Sequence, residues 1–544
     1  MPLREFFINI ARRSCMLDIL IKDGRVIDGA GNPWFRADLA IRGDKIVQIH
    51  PHIANPAQQV IDATGLIVAP GFIDTHTHSD VRVFKHPEED AKLMQGITTA
   101  LIGQDGLSVA PLDDINKEKM MLRVSGLLGT YLTAWPWNSM AEYLAALESL
   151  PPATNTMMLV PHGAIRAMVV GWEDRPATPV ELERMKILLA QAMEEGGCGF
   201  STGLIYPPGI YADRTEMVEL CKVTASYGGF FVVHMRNEGG LVLEAMREVI
   251  GIGREAGCPL HISHLKVAGK RNWGKAGEAL GLIEEARSNG LDVTFDQYPY
   301  LAGSTMLDAV IPPRFHTGGT AQLLERLKNP DVREEIRQVQ EDIKPERWDN
   351  WVESCGWDGI MVNSVKSEVN RFAEGKTITQ IAQDLGKPPL DAVCDLLIAE
   401  ENAVTMTLFY GCEEDVKEIM RSEYMTLCSD GIVGGKPHPR VYGTCARFLG
   451  KYVREEKVLP LPQAIKRMTS FPAQRLGLQD RGVLRERMVA DITIFDPETI
   501  IDKGTYAEPN QYPIGISYVI VSGQVAMENG KLTAKRAGRI LRRR

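Results

Sequence analysis

Apolar and polar positions alternate in short runs over residues 16–68: Asp18-Ile19-Leu20-Ile21, Gly24-Arg25-Val26-Ile27, Ala37-Asp38-Leu39-Ala40-Ile41 and Lys45-Ile46-Val47-Gln48-Ile49. Period-two alternation broken by turn residues predicts half-buried β strands. The same texture returns over residues 481–544, in Ala490-Asp491-Ile492-Thr493-Ile494-Phe495 and in the run Ile516 to Val525. Two β-rich ends around a different middle predict one small β-sandwich assembled from both chain ends.

Residues 69–480 change pattern, with short apolar runs alternating with amphipathic helical stretches, the signature of parallel βα units. Candidate strands fall at 72–76, 98–102, 157–160, 199–202, 230–234, 259–264, 292–297 and 425–430. Eight in series predict an α/β chain whose main domain is a closed (β/α)8 TIM barrel. The helix expected at Val180 to Glu195 puts Leu182, Met185, Leu188, Leu189 and Met193 inside and Glu181, Glu183, Lys186 and Gln191 outside, as an outer ring requires. Between the seventh and eighth strands an insertion at about 305–424 carries Trp348, Trp351 and Trp357. A connection that long reads as a lid over the functional face or as a surface ornament.

Barrel active sites form at the C-terminal ends of strands, and there the chain concentrates metal-type side chains. The first strand ends in His76 and His78, whose i, i+2 spacing points both rings to one face. The second runs into Gly103-Gln104-Asp105-Gly106, the fifth ends at His234, the sixth at His264 and the eighth at Asp430. The chain has 11 histidines, so four at strand ends is a concentration, although any one alone reads better as a packed or exposed residue. Imidazoles and carboxylates hold a borderline divalent ion while leaving positions open. Such an ion lowers the pKa of water toward about 7 and polarises a carbonyl. Asp430, followed by the permissive Gly431, reads as the group that then carries a proton to the leaving group.

Composition narrows the setting. With 544 residues, 44% of them hydrophobic, the chain can bury a large core, and a net charge of −9 gives no basic surface for nucleic acid. The Arg-rich end Arg539 to Arg544 reads as a solvated terminus. Nine scattered cysteines without a C-x-x-C pair suggest neither a disulfide framework nor a zinc ribbon, and point to a reducing cytoplasm. No stretch is long enough to span a membrane, and residues 1–15 fail as a signal peptide and read as an extension ahead of Met16. The sequence leaves oligomeric state open, a homo-oligomer included.

Six segments carry a family resemblance: Gly71-Phe72-Ile73-Asp74-Thr75-His76-Thr77-His78, Ser201 to Pro208, His234-Met235-Arg236-Asn237-Glu238-Gly239, Ser263-His264-Leu265-Lys266-Val267, Tyr298 to Thr305, and Ser429-Asp430-Gly431. They resemble the motifs of the amidohydrolase superfamily and, within it, of the N-acyl-D-amino-acid deacylases, from Met16 to about Leu541. The resemblance implies zinc, one or two ions, and hydrolysis of an N-acyl-D-amino acid, a small-molecule substrate, to a carboxylate and a free D-amino acid. It implies His76 and His78 at a weaker metal position, His234 and His264 at a tighter one, and Asp430 as catalytic acid and base, also in contact with metal. Tyr206, Lys266, Tyr298 and Ser304 match groups that orient the substrate. Arg440, in Lys436-Pro437-His438-Pro439-Arg440, matches a stretch that contacts substrate or anchors a loop.

One position departs from the family. Where it commonly has Gly-Asn-Cys-Gly, with the thiolate as ligand, Asp105 stands in the cysteine's place. A carboxylate is harder than a thiolate, so Mn2+, Co2+ or Fe2+ become alternatives to zinc, and a structural Asp in a Gly-rich turn is the other reading. Cys198, Cys221 and Cys428 lie inside elements where a small apolar side chain packs, and His162 after Pro161 reads as a turn residue. Hydantoinase-like hydrolysis of a cyclic amide is the alternative activity, but those enzymes bridge two metals with a carboxylated lysine from the fourth strand. That strand here is Gly199-Phe200-Ser201-Thr202-Gly203. The deaminase reading lacks matches to the Tyr-Pro-Pro and Ser-His-x-Lys segments, and a non-catalytic scaffold has no reason to keep four histidines and Asp430.

Overall fold

A computed structural model of the chain describes residues 16–342 and 348–543. The extension read for residues 1–15 lies outside the described residues.

The eight expected barrel strands form as β1 (Phe72–Asp74), β2 (Ile97–Ile102), β3 (Asn155–Met158), β4 (Phe200–Gly203), β5 (Phe231–His234), β6 (Leu260–Ile262), β7 (Val293–Gln297) and β8 (Met425–Leu427). Pairing is parallel from β1 to β3 and from β4 to β8. The short strand Val160–Pro161 joins the two groups by pairing with β4, helped by the Cys198 N–H, which donates to the Met158 carbonyl at 2.9 Å. Beyond the ends of β8 and β1, a parallel bridge between Thr77 and Gly431 closes the ring. There the Asp430 N–H donates to the His76 carbonyl at 2.7 Å, so closure and site assembly happen at one level. Strands β2 and β7 are buried along their whole length, which is why they read as continuous rather than alternating runs.

The outer helix read at 180–195 runs Pro179–Glu194. Thr178 caps it and Glu181 closes a capping box, with Pro179 in the first turn. Met185, Leu189 and Met193, four residues apart, face the core, each burial stabilising by roughly 1.5–3 kcal/mol.

Among the described residues, strands from both chain ends share one nine-stranded sheet. The ends meet where Ile67–Pro70 pairs antiparallel with Ile492–Phe495, Ala69 opposite Thr493. Ile19, Ile21 and Leu39 pack with Ile492, Ile494 and Ile520 in a single cluster, so the two ends share this core.

The insertion after β7 has its own antiparallel sheet, in the order Ala302–Met306, Thr405–Phe409, Ile360–Ser364. It starts ahead of residue 305, because Ala302–Met306 is already one of its strands. It is not an ornament: Ser304, Thr305, Trp351 and Leu408 line the cavity above the strand ends. The Arg-rich end is also more than a solvated terminus. Ile540 bridges Thr156 of β3, Arg539 pairs with Asp44 at 2.7 Å, and Arg542 pairs with Glu148 at 2.7 Å.

Candidate metal centre

Six predicted ligands converge at the strand ends, all buried. The rings of His76 and His78 stand edge to face with centroids 5.1 Å apart. Asp430 Oδ1 lies 3.6 Å from His76 Nε2 and 3.2 Å from His78 Nε2. Asp105 Oδ2 is 3.6 Å from the same two nitrogens. Across the cavity, His234 Nδ1 and His264 Nε2 approach to 3.0 Å, and the His264 ring is 4.9 Å from that of His76. Three groupings have donor atoms within 4.8 Å of one another: His76 with Asp105 and His264, His76 with His78 and Asp430, and His234 with Glu238 and His264.

Local backbone geometry aims these groups. Asp105, His264 and Asp430 adopt left-handed φ values of 56°, 36° and 47°, a region that costs a non-glycine residue on the order of 1–3 kcal/mol. Surrounding hydrogen bonds hold them there. Asp296 on β7 accepts the His264 N–H at 2.5 Å, the Thr75 hydroxyl at 3.1 Å and a contact from His261 Nε2 at 3.0 Å. Asp74 at the end of β1 accepts the Ser429 N–H at 2.8 Å and its hydroxyl at 2.5 Å, which fixes the chain beside Asp430.

The electrostatics differ across the cavity. Burial opposes protonation of His76, but Asp105 and Asp430 beside it prevail and lift its pKa to about 9. Burial drives His234 down to about 4, with Glu238 opposing only in part. Burial also pushes Asp105 and Asp430 up, yet both stay well below the ordinary carboxylate range, Asp105 held by His76 and Asp430 by Arg440 and His76.

These residues fit a divalent cation. His76 Nδ1 and Nε2, His78 Nδ1 and Asp105 Oδ1 are buried without a hydrogen bond, a costly arrangement that a bound cation would relieve in part. The donors are all nitrogen and oxygen, suited to borderline ions.

The substrate-side candidates divide. Tyr206, Lys266, Tyr298 and Ser304 line the same cavity as His78, His234 and His264. The Tyr206 hydroxyl meets Thr305 Oγ1 at 2.7 Å, Lys266 Nζ donates to Glu238 Oε1 at 2.6 Å, the Tyr298 hydroxyl meets that of Tyr410, and Ser304 Oγ accepts from Asn363 Nδ2 at 3.0 Å. Arg440 sits behind this wall, fully buried, with Nη1 2.9 Å from Asp430 Oδ2 and Nη2 donating to the Ser304 carbonyl at 2.9 Å. Its guanidinium lies 4.5 Å over the Tyr298 ring. His162 is not a turn residue: it opens the helix His162–Val169 and is buried between Thr202 and Glu216, at 2.8 Å from each.

Sequence reasoning assigned no role in the site to Glu238, Asp74, Asp296 or Tyr410, and none to Trp351 beyond its place in the insertion. Glu238 stood in a quoted segment four residues after His234, a spacing that was the available signal. Asp74 and Asp296 carried the weaker signal of a carboxylate at the end of a buried strand. Trp351 was visible only as one tryptophan of the insertion read as a lid or an ornament, and Tyr410 had no signal, because the insertion brings them in from far along the chain.

The sequence pattern of the amidohydrolase family matches residues 59–333 and 379–527. The chain is 35% identical to the D-aminoacylase of Alcaligenes xylosoxydans xylosoxydans over 97% of this chain and 98% of that protein. It is 36% identical to the N-acyl-D-glutamate deacylase of the same organism over 97% of each. Its fold superposes, with a TM-score of 0.83 and 32% identity, on the crystal structure of N-acyl-D-glutamate deacylase from Bordetella bronchiseptica complexed with zinc and a phosphonate mimic of the tetrahedral intermediate, covering 97% of this chain and 100% of that one. With barrel, strand-end histidines and near full-length similarity in agreement, this chain belongs to the amidohydrolase family.

Proposed function

We propose that this protein is a metal-dependent hydrolase that cleaves the amide bond of N-acyl-D-amino acids, giving a carboxylate and a free D-amino acid. The observation that carries this reading is the convergence of His78, Asp105, His234, His264 and Asp430 on one cavity that also presents Lys266, with His76 buried among them. The similarity to a D-aminoacylase and to an N-acyl-D-glutamate deacylase, each over nearly the full length, supports the substrate class.

In this reading His76, His78 and Asp105 on one side, and His234 and His264 on the other, hold one or two ions. Zinc is our first choice, since the similar deacylase structure is complexed with it; the oxygen-and-nitrogen donor set is equally compatible with Mn2+, Co2+ or Fe2+. When bound, a divalent ion supplies Lewis acidity, making water more acidic and the amide carbonyl more electrophilic. Asp430 does the proton work. Its carboxylate, kept ionised by Arg440 at 2.9 Å, takes a proton from the attacking water and returns it to the amide nitrogen as the carbon–nitrogen bond breaks. Lys266 and the hydroxyls of Tyr298 and Ser304 receive the α-carboxylate. Tyr206 stands beside His234, ring centroids 5.1 Å apart, where its hydroxyl reaches the carbonyl side. With carboxylate and carbonyl fixed at two points, the side chain of only one enantiomer can lie against Leu127, Leu408 and Ile432.

The cysteines of the described residues are free thiols, which suits the reducing cytoplasm we assign. The deciding experiment is amine release from paired N-acetyl-D- and N-acetyl-L-amino acids, with and without a chelator. Chelator-sensitive turnover of the D series alone is expected. Metal-loaded protein that turns over neither series would sink the reading.

A further inference from the structure

Glu238 is buried, follows β5 and touches three functional side chains at once. Its Oε1 accepts from Lys266 Nζ at 2.6 Å and lies 3.0 Å from His264 Nδ1. Its Oε2 lies 3.7 Å from His234 Nε2. Glu238 therefore faces, on each histidine, the nitrogen opposite the one involved in the 3.0 Å approach between His234 Nδ1 and His264 Nε2. Its main chain is fixed as well. The carboxylate of Asp349, from the insertion, accepts the N–H groups of Glu238 at 2.9 Å and Gly239 at 3.2 Å, and Asn237 Nδ2 donates to the Trp348 carbonyl at 3.1 Å.

Glu238 is placed as an outer partner rather than as a ligand. The Lys266 ammonium lies 2.6 Å from both Glu238 Oε1 and His264 Nδ1, and an ion sharing that space would meet a like charge. A carboxylate has enough lone pairs to accept from an imidazole N–H and an ammonium together, and a carboxylate on the outer nitrogen fixes a ligating histidine's tautomer and raises its basicity. His264 Nδ1 cannot donate to Glu238 and also accept from Lys266. With Nε2 holding a cation, the proton would sit on Nδ1 and be directed to Glu238, and the contact of Nδ1 with Lys266 would become repulsive.

We infer that Glu238 is a positioning residue shared by the metal side and the substrate side of the site: it orients His264 for the cation and sets the pose of Lys266 for the substrate carboxylate. This rests on the metal-dependent deacylase reading and extends it, tying cation affinity to carboxylate binding through one side chain, with the reciprocity that linkage requires.

The test uses the full-length protein and the variants Glu238→Gln and Glu238→Asp. Zinc affinity is measured without substrate, by competition with a chelator and elemental analysis. KM and kcat for an N-acetyl-D-amino acid are measured separately at saturating zinc. Glu238→Gln is expected to weaken the tighter zinc by roughly 10–100-fold and to raise KM more than it lowers kcat, with Glu238→Asp recovering part of both. Unchanged zinc affinity and KM in a folded Glu238→Gln protein would overturn the inference. Should neither variant fold, Lys266→Met replaces them: leaving Glu238 to the histidines alone, it is expected to tighten zinc several-fold, and unchanged zinc affinity overturns the inference. Because zinc is titrated without substrate, this result is independent of the deacylase reading, which fails separately if the parent turns over no N-acyl-D-amino acid.

Discussion

His76 and His234 are both buried at strand ends of one barrel, yet the protein drives them in opposite directions, His76 up to about 9 and His234 down to about 4. Burial lowers both, so the difference comes from neighbours. Asp105 and Asp430 both stand 3.6 Å from His76, and of the two only Asp430 shares its charge with a cation, Arg440 at 2.9 Å. Around His234, the charge of Glu238 is shared with Lys266 at 2.6 Å. One half of the centre is a negative basket that calls for a cation, and the other is a balanced cluster that keeps its imidazole neutral and ready to ligate.

The largest way to break this comparison is Asp430→Ala, which removes the proposed proton carrier from the His76 half. It should lower kcat by roughly 10²–10⁴-fold, with zinc still bound by the histidines in elemental analysis. An active Asp430→Ala enzyme would sink the proton-carrier assignment. Asp105→Ala removes the other carboxylate of that half. It should release zinc at chelator concentrations on the order of tenfold lower than the parent needs, and equal retention would make Asp105 a structural turn residue.

The opposed pKa values sharpen the contrast in metal-free protein. For His76 the folded value lies above the ordinary 6.5, so its contribution to stability is complete below that value and is lost as pH rises toward 9. For His234 the folded value lies below, so stability is lost as pH falls from 6.5 toward 4. Melting temperatures of the apo protein against pH should therefore decline at both ends, with His76→Asn flattening the alkaline decline and His234→Asn the acid one. Each replacement flattening the opposite limb would refute the assignment. The smallest effect is expected at the insertion wall, where Ser304→Ala should raise KM by roughly 3–10-fold, for about 1 kcal/mol of one hydrogen bond, with kcat unchanged. A fall in kcat at constant KM would place Ser304 in the chemistry instead.

Much of the barrel half was legible because its information is local. A strand end is marked by an apolar run, and His76, His78, His234, His264 and Asp430 each close such a run. The helix Pro179–Glu194 was legible for the same reason, its capping box and four-residue spacing being short-range signals. Glu238 was less so: its spacing from His234 was visible, but nothing near it announced Lys266 or Asp349 as partners. The Arg-rich end misled for a related reason. A run of like charge reads as solvated, and the pairs of Arg539 with Asp44 and Arg542 with Glu148 span most of the chain.

The sequence by itself determined the alternation that makes a β-rich pair of ends around a βα middle, the identity of the candidate ligating side chains and the place of most of them at a strand end. These follow from periodicity and side-chain chemistry, which neighbouring residues carry between them. Only the tertiary structure decided that β8 closes on β1 so that Asp430 meets His78 at 3.2 Å, that Arg440 lies behind Asp430, and that the insertion walls the cavity with Ser304 and Trp351. Ring closure and long-range charge pairing depend on which distant segments share a space, and burial there turns a difference of one neighbour into a shift of several pKa units.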